Sequence, residues 1–156
     1  MAKVYVSAVM DATLVQAWSL LRDFGALGNY HPFFRESFIE DGRPADQVGC
    51  VRNFKVRDGG GVIRERLLAL SDDEHRCRYA IIEVDADWKN YVAEMHLLPV
   101  TEGGRERCFG EWWATWEVPA DQEADAVERV SGTFRTFFAC VDQTFGGHRC
   151  TAKASA

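Results

Sequence analysis

Between His31 and Val118 the chain is cut into runs of about five to ten residues by turn signals at Asp41-Gly42-Arg43-Pro44, Asp58-Gly59-Gly60-Gly61, Ser71-Asp72-Asp73, Asp85-Ala86-Asp87 and Thr101-Glu102-Gly103-Gly104. One segment of helical period follows. This order is the strongest constraint the chain carries. Loops this short join antiparallel neighbours, because a parallel crossover needs a dozen or more residues. The stretch therefore reads as a meander of about six strands. Tyr91, Ala93, Met95 and Leu97 alternate with Val92, Glu94 and His96, so one face is drier than the other and must be covered.

The cover is the last segment, in which Val127, Val130, Phe134, Phe137 or Phe138, Val141 and Phe145 recur every three or four residues, with Glu128, Arg135 and Asp142 between them. Asp121 is the expected N-cap and Gly146 the stop. Ahead of the meander, Val4 and Val6 mark a first strand. Asp11 then caps a helix through Leu14, Trp18, Leu21 and Phe24, and a short helical turn over Ala26–Tyr30 is closed by His31-Pro32. The expected class is α+β: a curled antiparallel sheet of about seven strands, two short helices after the first strand, and one long C-terminal helix. A twisted sheet of that size curls, and a single helix cannot fill its concave face along the whole length, which leaves room for a hollow.

At 156 residues, with 47% hydrophobic and 27% charged residues, the chain can bury about two-thirds of its unfolded surface without disulfides or metal. One domain is expected over residues 1–146, with a flexible tail over 147–156. A net charge of -6 disfavours a nucleic acid or an anionic membrane as partner, leaving a small molecule; a monomer or a homodimer would serve. Apolar runs are only a few residues long, as at Trp112–Ala114 and Phe137–Cys140, far below the ~20 residues of a membrane span. The start lacks a secretory pattern, so the cytoplasm is the expected location. Cys50, Cys77, Cys108, Cys140 and Cys150 contain no CxxC pair and read as buried small hydrophobes.

Local motifs exclude several chemistries. His31, His75, His96 and His148 fall in different elements without HExxH or HxH spacing, so neither a metal nor another cofactor is expected. His31 is either a cavity-rim residue or a turn histidine bonded to backbone. Asp23-Phe24-Gly25 stands without the other kinase elements and reads as a helix end, and Gly59-Gly60-Gly61 lacks the Lys-Ser or Lys-Thr of a phosphate loop and reads as a hairpin. No serine sits in a GxSxG context.

Five stretches in order, Asn29-Tyr30-His31-Pro32-Phe33, Val48-Gly49-Cys50-Val51-Arg52, Arg64-Glu65-Arg66-Leu67-Leu68, Ser71-Asp72-Asp73-Glu74-His75-Arg76 and Lys89-Asn90-Tyr91, resemble the helix-grip superfamily. That superfamily holds START lipid-transfer domains, birch-pollen-allergen-like proteins and plant abscisic acid receptors. The resemblance is nearest to bacterial polyketide cyclase/dehydrase (SRPBCC) proteins. It implies an internal cavity for a hydrophobic, aromatic or polyketide-like ligand. By similarity to the receptors, Arg35 takes the place of a lysine that meets a ligand carboxylate, and Glu65 and Tyr91 join a polar network in the pocket. The implied lining continues through Arg52, Phe54, Val56, Ile63, Tyr79, Ile81 and Trp88, with Val130, Phe134 and Phe138 from the last helix. The receptors' two mobile-loop motifs are absent: Arg57-Asp58-Gly59-Gly60-Gly61 and Glu83-Val84-Asp85-Ala86-Asp87-Trp88 stand in their places, so no hormone-gated phosphatase switch is implied.

Arg35, Arg52 and Glu65, on strands otherwise apolar, need charge partners. They are either a buried pair that ties strands together or a ligand-facing cluster. Glu65 would be a general base if burial raised its pKa, and Tyr91 could donate to an enolate oxygen, which suits cyclisation or dehydration. Binding needs the same residue types, and is preferred here over a cofactor-independent cyclase/dehydratase and over an interaction module without ligand. Phe109, Trp112, Trp113 and Trp116 make one strand unusually aromatic. Either it packs under the helices, or Trp113 belongs to an aromatic ligand wall or a dimer patch.

Overall fold

The structure, a computed structural model, describes residues 1–146; the tail expected over 147–156, with His148 and Cys150, lies outside the described residues. Strands β1 (Ala2–Met10), β2 (Phe34–Ile39), β3 (Val51–Val56), β4 (Val62–Ser71), β5 (Arg76–Glu83), β6 (Lys89–Val100) and β7 (Arg107–Glu117) form one antiparallel sheet in the order β1-β7-β6-β5-β4-β3-β2. Helices α1 (Leu14–Leu21) and α2 (Leu27–Tyr30) fill the crossover from β1 to the far edge, and α3 (Glu123–Val141) returns along the concave face. Register shifts in the β2–β3, β4–β5 and β6–β7 pairs increase the local twist, so the sheet wraps around α3.

The period-2 signal of β6 is realised: Tyr91, Ala93, Met95 and Leu97 are buried on the concave face, beside the buried Trp112, Ala114 and Trp116 of β7. On α3 the buried stripe runs through Val130, Phe134, Phe137, Phe138 and Val141. The helix can come this close because residue 110 is glycine: a Cβ there would lie 2.5 Å from Phe138 Cε1 and 2.9 Å from Met10 Cε. At that end the helix seals the sheet. Toward the β3–β4 hairpin the two layers part.

The helix caps differ from expectation. Thr13, not Asp11, caps α1: its side chain accepts from Gln16 N–H while the Gln16 side chain accepts from Thr13 N–H, a complete capping box. Asp11 stands two residues earlier, its backbone N–H donated to Asp142 Oδ1 at 2.7 Å. On α3 the N-cap is Gln122 rather than Asp121, and the helix passes at Asp142 into a π turn over Asp142–Gly146. Among the described residues, no helix is long and apolar enough to cross a membrane.

Candidate ligand cavity

A cavity of about 520 Å³ lies where α3 and the sheet diverge, within the range of small-molecule sites. Its walls come from β3 (Arg52, Phe54, Val56), β4 (Ile63, Glu65), β5 (Tyr79, Ile81), Tyr91 of β6, Trp88 in the β5–β6 connection, and Val130 and Phe134 of α3. Each of these was expected from the sequence. Also present are Phe33 and Phe34, Thr133 and Phe137, and a mouth formed by Arg57–Gly61, Asp85 and Arg129. The Arg57–Gly61 turn is the expected hairpin: Asp58 and Gly59 both have positive φ (60° and 83°), the geometry a tight hairpin turn demands.

Three expected residues are elsewhere. Arg35 is exposed and pairs with Glu36 at 3.0 Å. Phe34 takes the inward position on β2, so its neighbour points out, and Glu36 at φ 52° ends the regular pairing there. A one-residue slip exchanges faces. Trp113 lies on the convex face, between the inward Trp112 and Ala114, with the Arg78 guanidinium 5.7 Å from its ring. Phe138 is inward but beyond the cavity, over Gly110 and against Trp112. Phe137, one position earlier and 100° round the helix, lines the cavity instead.

The polar centre of the cavity is a cross-strand ion pair. Arg52 and Glu65 face each other in the β3–β4 register, with Arg52 Nε donating to Glu65 Oε2 at 2.5 Å, and each side chain is only 7% exposed. Arg52 also donates to the Phe24 carbonyl at 3.3 Å and stands 4.0 Å from the Phe24 ring and 4.7 Å from that of Tyr79. Burial raises the Glu65 carboxyl above its ordinary value, opposed by the Arg52 charge. Burial also holds the Tyr79 and Tyr91 phenols well above theirs, so both are neutral hydroxyls near pH 7. Tyr79 receives the Trp112 indole N–H at 3.1 Å. Trp88, Tyr91 and Trp116 form an aromatic corner, Trp88 stacked on Tyr91 at 6.0 Å and 11°. The Cys77 thiol is pushed up by burial to about 12, which makes it inert as a nucleophile.

His31 was open between a rim and a backbone role. It is buried; Nδ1 accepts the Phe33 N–H at 3.2 Å and Nε2 lies 3.1 Å from the Thr133 carbonyl of α3. An amide can only donate, so the ring proton is on Nε2 and the imidazole is neutral. The ring packs on Phe34 and Phe137 at 4.6 and 4.4 Å, directly behind the cavity lining.

A wrapped sheet around a long helix, with a cavity at their divergence, defines a helix-grip protein of the birch-pollen-allergen type. The chain belongs to the family described as polyketide cyclase/dehydrase and lipid transport, which matches residues 1–143. Its backbone is similar to that of the protein XoxI from Bacillus cereus (TM-score 0.79, 23% identity, covering 93% of this chain and 96% of that one). A protein from Nitrosospira multiformis is also similar (TM-score 0.77, 29% identity, 92% and 95%). So is norcoclaurine synthase from Thalictrum flavum in complex with dopamine and hydroxybenzaldehyde (TM-score 0.70, 15% identity, 91% and 84%). At 15% identity that last likeness is one of fold.

Proposed function

We propose that this protein binds a hydrophobic, aromatic or polyketide-like small molecule in the cavity between α3 and the sheet. The observation that carries the reading is an aromatic-walled space of about 520 Å³ whose lining includes the buried Arg52–Glu65 pair and the phenols of Tyr79 and Tyr91. A protein serving only as an interaction module has no need of such a space in its core. The ligand's rings would lie against Trp88 and Tyr91, and its carbonyl or hydroxyl oxygen would meet Tyr91 or Glu65. The test uses N-phenyl-1-naphthylamine, an uncharged aromatic whose fluorescence rises in apolar surroundings. Ile63→Trp fills the cavity from β4 and is expected to weaken binding of the probe at least about tenfold. Unchanged binding by a folded Ile63→Trp variant overturns the reading.

A second reading, cofactor-independent cyclisation or dehydration, is favoured by one feature: the raised Glu65 carboxyl and the neutral Tyr91 hydroxyl share the cavity. Glu65 would take a proton from carbon and Tyr91 would donate to the developing enolate oxygen. With a poly-β-ketone as substrate, Glu65→Gln is expected to reduce turnover about a hundredfold or more while the affinity for N-phenyl-1-naphthylamine stays within about threefold. Turnover that survives the substitution assigns Glu65 to structure and leaves a carrier.

A further inference from the structure

Among the described residues, three cations line the cavity: Arg52, Arg57 and Arg129. Arg52 is consumed by Glu65. Arg57 and Arg129 are exposed at the mouth and, among the described residues, take part in no ion pair. This contrasts with Arg22, Arg35, Lys55, Arg64 and Arg76, each held by a carboxylate.

The two mouth arginines are joined by a continuous hydrogen-bonded path. Arg57 N–H donates to the Phe33 carbonyl at 2.9 Å, Phe33 N–H donates to His31 Nδ1, His31 Nε2–H donates to the Thr133 carbonyl, and Thr133 Oγ1 donates to the Arg129 carbonyl at 3.0 Å. The β3–β4 hairpin and α3 are thereby tied together on one side of the opening. Two acids also border the mouth. Asp58 is at the hairpin tip, and Asp85 approaches Gly61, whose added Cβ would lie 3.0 Å from Asp85 Cβ. The Asp85 contact is to Gly61, at the opposite end of the turn from Arg57. The mouth thus carries both charges, and the two arginines, with no ion pair among the described residues, are its cationic lip.

We infer that Arg57 and Arg129 select an amphipathic anion, a dissolved molecule whose aromatic or apolar body enters the cavity while its carboxylate, sulfonate or phosphate stays at the cationic lip. Guanidinium groups suit such oxyanions because their planar forks donate paired hydrogen bonds. Arg35 cannot do this from the outer face of β2. The inference rests on the cavity reading above and narrows its ligand class. A dissolved source is assigned because the chain's net charge of -6 opposes docking on an anionic bilayer.

The test compares two probes with one aromatic body, N-phenyl-1-naphthylamine and 8-anilinonaphthalene-1-sulfonate, which differ in the sulfonate. The unmodified protein is expected to bind the sulfonate about tenfold tighter at low ionic strength, an advantage that salt reduces. In Arg57→Gln/Arg129→Gln that advantage should fall to about onefold while affinity for the uncharged probe is unchanged. The inference is overturned if the unmodified protein shows no preference for the sulfonate, or if the double substitution leaves the preference intact. It is also overturned if the protein sediments with phosphatidylglycerol vesicles in a manner that depends on the two arginines, since the anion would then be a bilayer headgroup. Failure of the cavity reading looks different: the uncharged probe then fails to bind, or binds Ile63→Trp as well as the unmodified protein.

Discussion

Arg52→Met is expected to destabilise the fold by about 3–5 kcal/mol at pH 7, the cost of leaving one member of a buried ion pair without its partner. The methionine keeps most of the packing volume between Phe24 and Tyr79, which the guanidinium now occupies at 4.0 and 4.7 Å from the two rings. What it removes is the donor to Glu65 Oε2 and the charge that opposes the burial of that carboxylate. Glu65 must then be protonated in the folded state or carry an uncompensated charge. Its folded pKa, already raised by burial, rises further, so the folded form of the variant favours the proton more than the unfolded chain does. That contribution is full below the unfolded pKa and is lost as pH rises through the folded one. The variant is therefore expected to regain stability between pH 7 and pH 5. Arg52→Met/Glu65→Leu should recover most of the loss at pH 7, because removing both charges leaves neither one stranded. Urea midpoints for the four members of the cycle, at both pH values, decide the matter. Equal losses in the single and double variants would show that the rings, not Glu65, are what Arg52 serves.

The ion pair also shows how far the sequence could be read. Arg52 and Glu65 fall on strands with clear alternation on either side of one short hairpin, and pairing outward from Asp58-Gly59 brings them face to face. Phe54 and Ile63, opposite each other in the same register, follow from the same count. On β2 the count fails. The strand is short, lies at the sheet's edge and has its pairing interrupted at Glu36, so no periodicity shows whether Phe34 or Arg35 faces inward. On β7 alternation separated Trp112 from Trp113 correctly, but with aromatic residues on both faces it carries no sign. On α3, Phe137 and Phe138 are both buried, and only the direction in which the sheet curls away decides which one borders empty space. The cationic lip had the weakest signal. Arg57 follows a strand at the start of a glycine-rich turn and Arg129 belongs to an ordinary charged helix turn; the path through His31 that joins them connects residues about a hundred positions apart. The capping box at Thr13–Gln16 was missed in favour of Asp11, although a threonine followed three residues later by glutamine opens the apolar run. The volume of the cavity was not legible, because it depends on the sum of curl, bulges and side-chain volumes.

The pH dependence of stability should carry the signature of His31. Burial lowers its pKa from 6.5 to about 4, and the charge of Arg52 acts in the same direction against the hydrogen bond to Thr133. Protonation would also place a second ring hydrogen at Nδ1, against the Phe33 N–H that now donates to it. Above pH 6.5 the ring is neutral in both the folded and unfolded chain, and the stabilising contribution of the neutral form is fully present. As pH falls below 6.5 the unfolded chain binds a proton that the folded one refuses, so stability declines until the folded ring also titrates near 4. The loss over that interval is about 3 kcal/mol. His31→Gln offers an amide donor and acceptor in a similar place without a titrating group. Its stability curve is therefore expected to fall less steeply than that of the unmodified protein between pH 6.5 and 4, whatever constant offset the substitution introduces at pH 7. Urea denaturation at half-unit steps measures the difference, in which the carboxylates common to both proteins cancel. Parallel curves would mean that the ring is protonated in the folded state near its ordinary pKa. The path from the β3–β4 hairpin through Phe33 and His31 to α3 would then not require a neutral imidazole.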